Sequence, residues 1–295
     1  MSNNKLIIVM AVILVAIILG VILSQMSISE DKSEITDVQV GLINVSENIY
    51  SFGSNGYYSF IMITDDGIII VDPITNEHAL KMSNAIKEIS DQPIKYVIYS
   101  HNHFDHIGGA SIFTDATILS HADTWNWLED NPNPHVREVD EVWYGSTKSI
   151  TLGDDTIDLY QFGESHGKGM TVFYIPDERI MYLVDILTPN RLPFTIMPDF
   201  SPKGWEHTLI MVENFDVDTF MFSHKNATGT KDQVIEIREY LQDLREEIFT
   251  MMNSGVNPME IPSTIQLEKY EDLEFYDEWL EMNAWRVLLE IWMGW

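Results

Sequence analysis

The sequence predicts an α/β protein, and three features of the chain carry that expectation. Apolar runs rich in β-branched and aromatic residues recur at 94–99, 170–175, 180–184 and 219–223, the pattern of buried strands. Apolar residues every three to four positions mark helices at 77–89 and 233–252. Histidines and aspartates collect where the apolar runs end, which puts the chemistry on loops leaving a sheet.

In chain order, residues 6–23 are 18 uncharged, apolar residues, long enough to cross a bilayer core as a helix. Lys5 precedes them and Glu30, Asp31 and Glu34 follow, a charge bias that leaves the N-terminus inside and the rest of the chain outside. A cleavable signal peptide is the alternative. Its apolar core is usually shorter and ends in a small-x-small site, which Ile22-Leu23-Ser24 fits poorly. The expectation is therefore an uncleaved transmembrane helix within residues 1–25, with secretion after cleavage as the alternative. Residues 26–37 read as an acidic linker.

Residues 38–72 have the look of a strand meander, with Asp65-Asp66-Gly67 as a hairpin turn. Leu80, Met82, Ala85 and Ile86 space the helix at 77–89. A strand begins at 117 and a short helix at 122, whereas 129–147 mixes prolines, acids and aromatics without a period and reads as a loop. Two strands flank Gly153-Asp154-Asp155. Residues 187–205 carry four prolines with Phe194, Phe200 and Trp205, too long and apolar for a mere connector. They are either a lid or wall of a cleft or a loop packed on the surface. Asn257-Pro258 reads as a helix start, and the final helix, 270–293, carries Trp279, Trp285 and Trp292 for docking on the main domain or a partner.

At 295 residues the chain accommodates one large domain with an appendage, or two small domains. It has no cysteine, which excludes disulfides and thiolate metal sites. With 17 basic residues against 46 acidic ones, and a net charge of −29, it has no clustered cationic surface for a phosphate backbone. Nucleic acid is not expected as a partner.

The densest chemistry lies at Ser100-His101-Asn102-His103-Phe104-Asp105-His106-Ile107-Gly108-Gly109. His101 and His103 are two apart and can point the same way from an extended backbone, while Asp105 and His106 can face a neighbouring point after the turn. Imidazoles and carboxylates are the ligands of zinc and similar divalent ions. H-x-H-x-D-H followed by Gly-Gly resembles the signature of the metallo-β-lactamase superfamily. Later residues complete the set in that family's order. His166 stands in Gly163-Glu164-Ser165-His166-Gly167, Asp185 follows 180–184, and His224 follows 219–223. The resemblance spans about 39–232. Three departures stand out: Val184 replaces the usual glycine before the aspartate, Ser223 and Lys225 replace the glycines flanking the last histidine, and Ser100 stands where the family often has threonine.

The resemblance implies an αββα sandwich as the catalytic domain, residues 38–232, between the N-terminal transmembrane helix and a C-terminal helical extension, 233–295. It implies a binuclear metallohydrolase. His101, His103 and His166 would hold one ion, Asp105, His106 and His224 the second, and Asp185 would bridge them. A hydroxide between the ions would attack an ester-like bond in a small molecule (a lactone, thioester or β-lactam), with Asp105 orienting it and moving a proton. Two zinc ions are the first expectation, with iron or manganese as alternatives. The diiron oxygen-reducing branch usually has glutamate at the position of His103. A phosphodiesterase or phosphatase, or a non-catalytic metal-stabilised binding protein, are the rival functions. Asp72 is either a support beneath the site or a strand-terminating turn residue. Arg191, Lys168 and Lys225 are candidates to bind a substrate carboxylate. The remaining histidines, His78, His121, His135 and His207, read as structural or solvated.

Overall fold

Short turns join β1 (Gly41–Asn44), β2 (Ile49–Ser54), β3 (Tyr57–Thr64) and β4 (Gly67–Val71) into an antiparallel meander in the computed structural model, which describes residues 40–294. The expected anchor and the linker both lie outside those residues. Among the described residues no helix is long and apolar enough to cross a membrane. Thr64 pairs with Gly67 across the two-residue Asp65-Asp66 turn, as the hairpin signal requires. Helix α1 (Asn76–Lys87), capped by Thr75 accepting from the His78 N–H, carries the chain back to β5 (Ile94–Tyr99), which lies parallel to β4.

The motif after β5 forms a single turn, α2 (Phe104–Ile107). β6 (Thr117–His121), α3 (Ala122–Asp130) and β7 (Glu141–Trp143) complete a seven-stranded sheet in chain order. β7 lies inside the stretch expected to be loop throughout. Three residues are too few to show a period, and the strand exists because it pairs in parallel with β6. β8 (Thr147–Leu152), β9 (Asp155–Tyr160), β10 (Val172–Ile175) and β11 (Ile180–Leu183) begin the second sheet. Helix α4 (Pro202–Glu213) then leads to β12 (Thr219–Phe222) and the two-residue β13 (Thr228–Gly229), giving six strands in the order β13-β12-β11-β10-β9-β8.

The central strands of both sheets, β3 and β4 in one and β10, β11 and β12 in the other, are buried on both faces, so they read as continuous apolar runs. Phe60 and Met62 of β3 and Ile69 and Val71 of β4 meet Leu159, Phe173 and Tyr182 in a core between the sheets. The alternate residues Ile61, Ile68 and Ile70 face Ala79, Met82 and Ile86 of α1. On the far side Met181 and Leu183 face a helical layer built from α4, α5 (Lys231–Asn253) and α6 (Tyr276–Met293). The layers are thus α, β, β and α. The helices expected as an extension after 232 share this core, and the described residues form one compact unit. A capping box of Thr230 and Gln233 starts α5. The final helix begins at Tyr276 rather than 270, because Phe275 adopts a left-handed φ of 63° and 268–270 is a separate short turn.

Gly109, the second glycine of the motif, sits where the chain passes under the meander. A Cβ there would lie 2.3 Å from the Pro73 carbonyl oxygen and 2.5 Å from that of Thr75, both backbone atoms. Gly109→Ala is expected to lower stability by about 1–3 kcal/mol, read from urea unfolding midpoints.

Candidate metal centre

Four segments converge beyond the strand ends. His101 follows β5, His103 caps α2 and His106 lies within it, His166 sits in the β9–β10 connection, Asp185 follows β11, and His224 follows β12. Asp185 is the hub. Its Oδ2 lies 3.0 Å from His106 Nε2, 3.3 Å from His166 Nε2 and 3.7 Å from His101 Nε2, and its Oδ1 lies 2.8 Å from His224 Nε2. His103 Nδ1 is 3.0 Å from His166 Nε2. Two donor sets result, His101-His103-His166-Asp185 and His106-Asp185-His224, each with its ligand atoms within 4.8 Å of one another. Asp105, expected in the second set, stands at its rim, with Oδ2 3.8 Å from His106 Nε2 and accepting from the Tyr57 hydroxyl at 3.0 Å.

The donors fit a divalent ion. His101 Nε2 is fully buried without a hydrogen-bond partner, an arrangement that native proteins avoid unless something binds there. Burial, with His166 and His103 nearby, pushes His101 well below its ordinary pKa, which keeps it in the neutral, ligating form. Burial opposes a charge on His106 too, but Asp185 and Asp72 outweigh it and raise that group well above its ordinary value. Burial would likewise raise Asp185, yet His106 and His224 hold it well below the carboxylate range.

Asp72 supports the ligands from beneath. Its fully buried carboxylate accepts from the Ser100 N–H at 2.9 Å and the Ser100 hydroxyl at 2.6 Å, and lies 3.2 Å from His106 Nδ1. The Ser100 hydroxyl is in turn 2.8 Å from His101 Nδ1. With both Nδ1 atoms so engaged, the Nε2 lone pairs of His101 and His106 face the site. Ser223 takes a related part. It accepts from the Asp185 N–H at 3.1 Å and donates to Asp185 Oδ1 at 2.8 Å, so this departure from the family pattern adds a hold on the shared carboxylate.

Tyr57, Ser223 and Asp199 are the residues that spacing arguments miss. Ser223 announces itself only as a departure. Asp199, hydrogen-bonded to His103 Nε2, is 96 positions away, and Tyr57 is 48 from Asp105.

A cavity of about 550 Å³ opens beside the cluster, walled by Leu187, Arg191, Leu192, Phe194 and Phe200 of the proline-rich segment. That segment is therefore a wall of the cleft. Lys168 is paired with Glu164 at 2.9 Å and Lys225 with Glu274 at 2.6 Å. Arg191 donates to Thr188 Oγ1 at 2.7 Å, and its Nε is buried without a partner. His121 caps α3 and bonds the Gly145 carbonyl, away from the site. His135 lies in the β6–β7 connection and His207 on α4.

Residues 53–224, more than half the chain, match the family model described as the metallo-beta-lactamase superfamily. The chain belongs to the metallo-beta-lactamase superfamily. Among curated proteins it is 27% identical over 164 residues to the alpha subunit of a 2,4-dinitroanisole O-demethylase from Nocardioides sp., covering 54% of this chain and 50% of that one. It is 22% identical over 257 residues to a linear primary-alkylsulfatase from Pseudomonas sp., covering 68% and 48%. It is 23% identical over 216 residues to a metal-dependent hydrolase from Haloquadratum walsbyi, covering 70% and 86%. The chain spans about half the length of the first two. Among solved structures, a stereoselective inverting sec-alkylsulfatase from Pseudomonas sp. superposes with a TM-score of 0.73 at 16% identity, over 87% of this chain and 50% of that one. A metallo-beta-lactamase from Pontibacter korlensis gives 0.63 at 16% identity, over 69% and 99%. At such identities the superpositions establish the superfamily fold.

Asp72→Asn keeps one acceptor oxygen where three donors converge, and zinc affinity is expected to fall about 10- to 100-fold in chelator competition. His78, buried beside Phe52 with Nε2 3.0 Å from Ser59 Oγ, is pushed by burial from 6.5 down to about 4. The unfolded chain therefore binds the extra proton between those values. The stability this residue contributes is complete above pH 6.5 and is lost as pH falls toward 4, by roughly 3 kcal/mol in all. His78→Gln is expected to flatten that part of the urea-midpoint profile.

Proposed function

We propose that this metallo-beta-lactamase-superfamily enzyme is a binuclear zinc-dependent hydrolase that cleaves an ester-like bond, in a lactone, a thioester or a β-lactam. The carrying observation is Asp185, one carboxylate shared by two histidine donor sets. His101, His103 and His166 would hold one ion and His106 and His224 the other, with Asp185 between them and Asp105 closing the second from the rim. When bound, the ions supply Lewis acidity and bring the pKa of water toward neutrality.

The chain's own residues do the rest. Asp105, oriented by the Tyr57 hydroxyl, reaches into the cavity, where it would align the attacking water and deliver its proton to the leaving group. Leu187, Leu192, Phe194 and Phe200 would take the apolar body of the substrate and exclude solvent around the scissile bond. Arg191, whose guanidinium lies 5.4 Å from the Trp279 ring centroid and which enters no ion pair among the described residues, would face an anionic substituent. That cation, with an alkylsulfatase among the relatives, supports sulfate-ester hydrolysis as a second reading.

We also propose that the apolar run at 6–23 holds the enzyme at a membrane with its catalytic domain outside. The substrate would be a small molecule rather than nucleic acid. The flanking charges support the first statement and the net charge of −29 the second.

The test is turnover of a panel containing a lactone, a thioester, a β-lactam, a sulfate ester and a phosphodiester. One class is expected to be hydrolysed, with activity lost on chelation and restored by zinc. Asp105→Asn is expected to lower kcat about 10²- to 10⁴-fold with KM little changed. Bound zinc without turnover of any class would favour the binding-protein rival.

A further inference from the structure

Two adjacent residues of the loop between β11 and α4 touch two ligands of one donor set. Asp199 is hydrogen-bonded to His103 Nε2, while His103 Nδ1 faces His166. Phe200 lays its ring on that of His166, with centroids 4.0 Å apart, and forms a backbone bridge to the same residue.

The loop is not free to choose this shape. Thr195 and Met197 have left-handed φ values of 43° and 46°, which residues other than glycine keep only where their surroundings impose it. Helix α6 supplies the surroundings. Its buried Asn283 donates to the Pro193 and Thr195 carbonyls at 3.0 and 2.5 Å and accepts from the Tyr240 hydroxyl at 2.9 Å. Arg286 donates to the Phe200 carbonyl, and Glu290 accepts from the Ser201 hydroxyl at 3.1 Å.

We propose that Asp199 is a positioning residue: carried by this loop and braced by α6, it fixes the ring and the proton of His103, and so couples the placement of the loop to retention of an ion by His101, His103 and His166. The physical basis is simple. A neutral imidazole has one N–H and one lone pair, and a carboxylate on Nε2 takes the N–H. The lone pair is then on Nδ1, the atom that faces His166. The inference rests on the metal-centre reading of the cluster and not on any particular substrate.

The experiment uses the full chain and zinc alone, titrated against a chromophoric chelator, with the visible bands of the cobalt-loaded protein as a second readout. Asp199→Ala is expected to weaken zinc binding about 10- to 100-fold and to shift the cobalt bands. Asp199→Asn, which keeps a weaker acceptor, should fall between it and the parent. Asn283→Ala should weaken binding in the same direction, and the double variant should be no weaker than Asp199→Ala alone. Melting of the metal-free proteins reports folding separately, and if Asn283→Ala does not fold, the two Asp199 variants decide. Parental zinc affinity and cobalt bands in Asp199→Ala would overturn the proposal, as would a parent that binds no zinc. Losses that multiply in the double variant would overturn the coupling through α6. A parent that binds zinc but hydrolyses nothing would remove the hydrolase reading and leave this one intact.

Discussion

A carboxylate enclosed by imidazoles is the interaction on which the rest of this structure depends. The Asp185 side chain is only 10% exposed and lies within 3.7 Å of four imidazole nitrogens. Removing an ionised carboxylate from water costs several kcal/mol unless charge and hydrogen bonds offset it. The ends of β5, β11 and β12 and the β9–β10 connection must therefore reach one point. Face-to-face packing of two sheets achieves this. Phe60, Met62, Ile69 and Val71 close on Phe173 and Tyr182, and the loops at one end of the sandwich follow.

Around the ligands stands a layer of hydrogen bonds that orients them. Asp72 and Ser100 engage the Nδ1 atoms of His106 and His101, Asp199 engages Nε2 of His103, and Ser223 grips Asp185. Each contact leaves one nitrogen or oxygen facing the centre, which is what separates a ligand from an ordinary buried polar group. The left-handed backbone at Asp72 and Asp185, with φ of 55° and 52°, belongs to this arrangement, since both stand just beyond a strand.

Electrostatics divides by distance. The chain as a whole is strongly acidic, yet exposed charges are screened within about 8 Å at physiological ionic strength. At the cavity the local field belongs to the histidine–aspartate cluster and to Arg191, which is buried enough to lose hydration and to be lowered from its ordinary pKa. Fold likeness to proteins as different as alkylsulfatases and a metallo-beta-lactamase leaves the reaction to such local features.

The sequence by itself determined what short-range pattern encodes. Alternating strands and helices, the hairpin at Asp65-Asp66, and the histidines and aspartates at strand ends are each readable within a few residues, because strand and helix periods and ligand spacing are local properties. Tertiary structure decided the rest. The strand at 141–143 is too short to show a period and exists through its neighbour. The last helix starts late because Phe275 turns left-handed. Asp105 stands at the rim, where its carboxylate accepts from the hydroxyl of Tyr57, 48 residues earlier in the chain. Asp199 meets His103 from a loop whose Pro193 and Thr195 carbonyls accept from Asn283 of α6, 90 and 88 residues further along the chain. Such contacts arise only when the layers close, and no period or spacing in the chain records them.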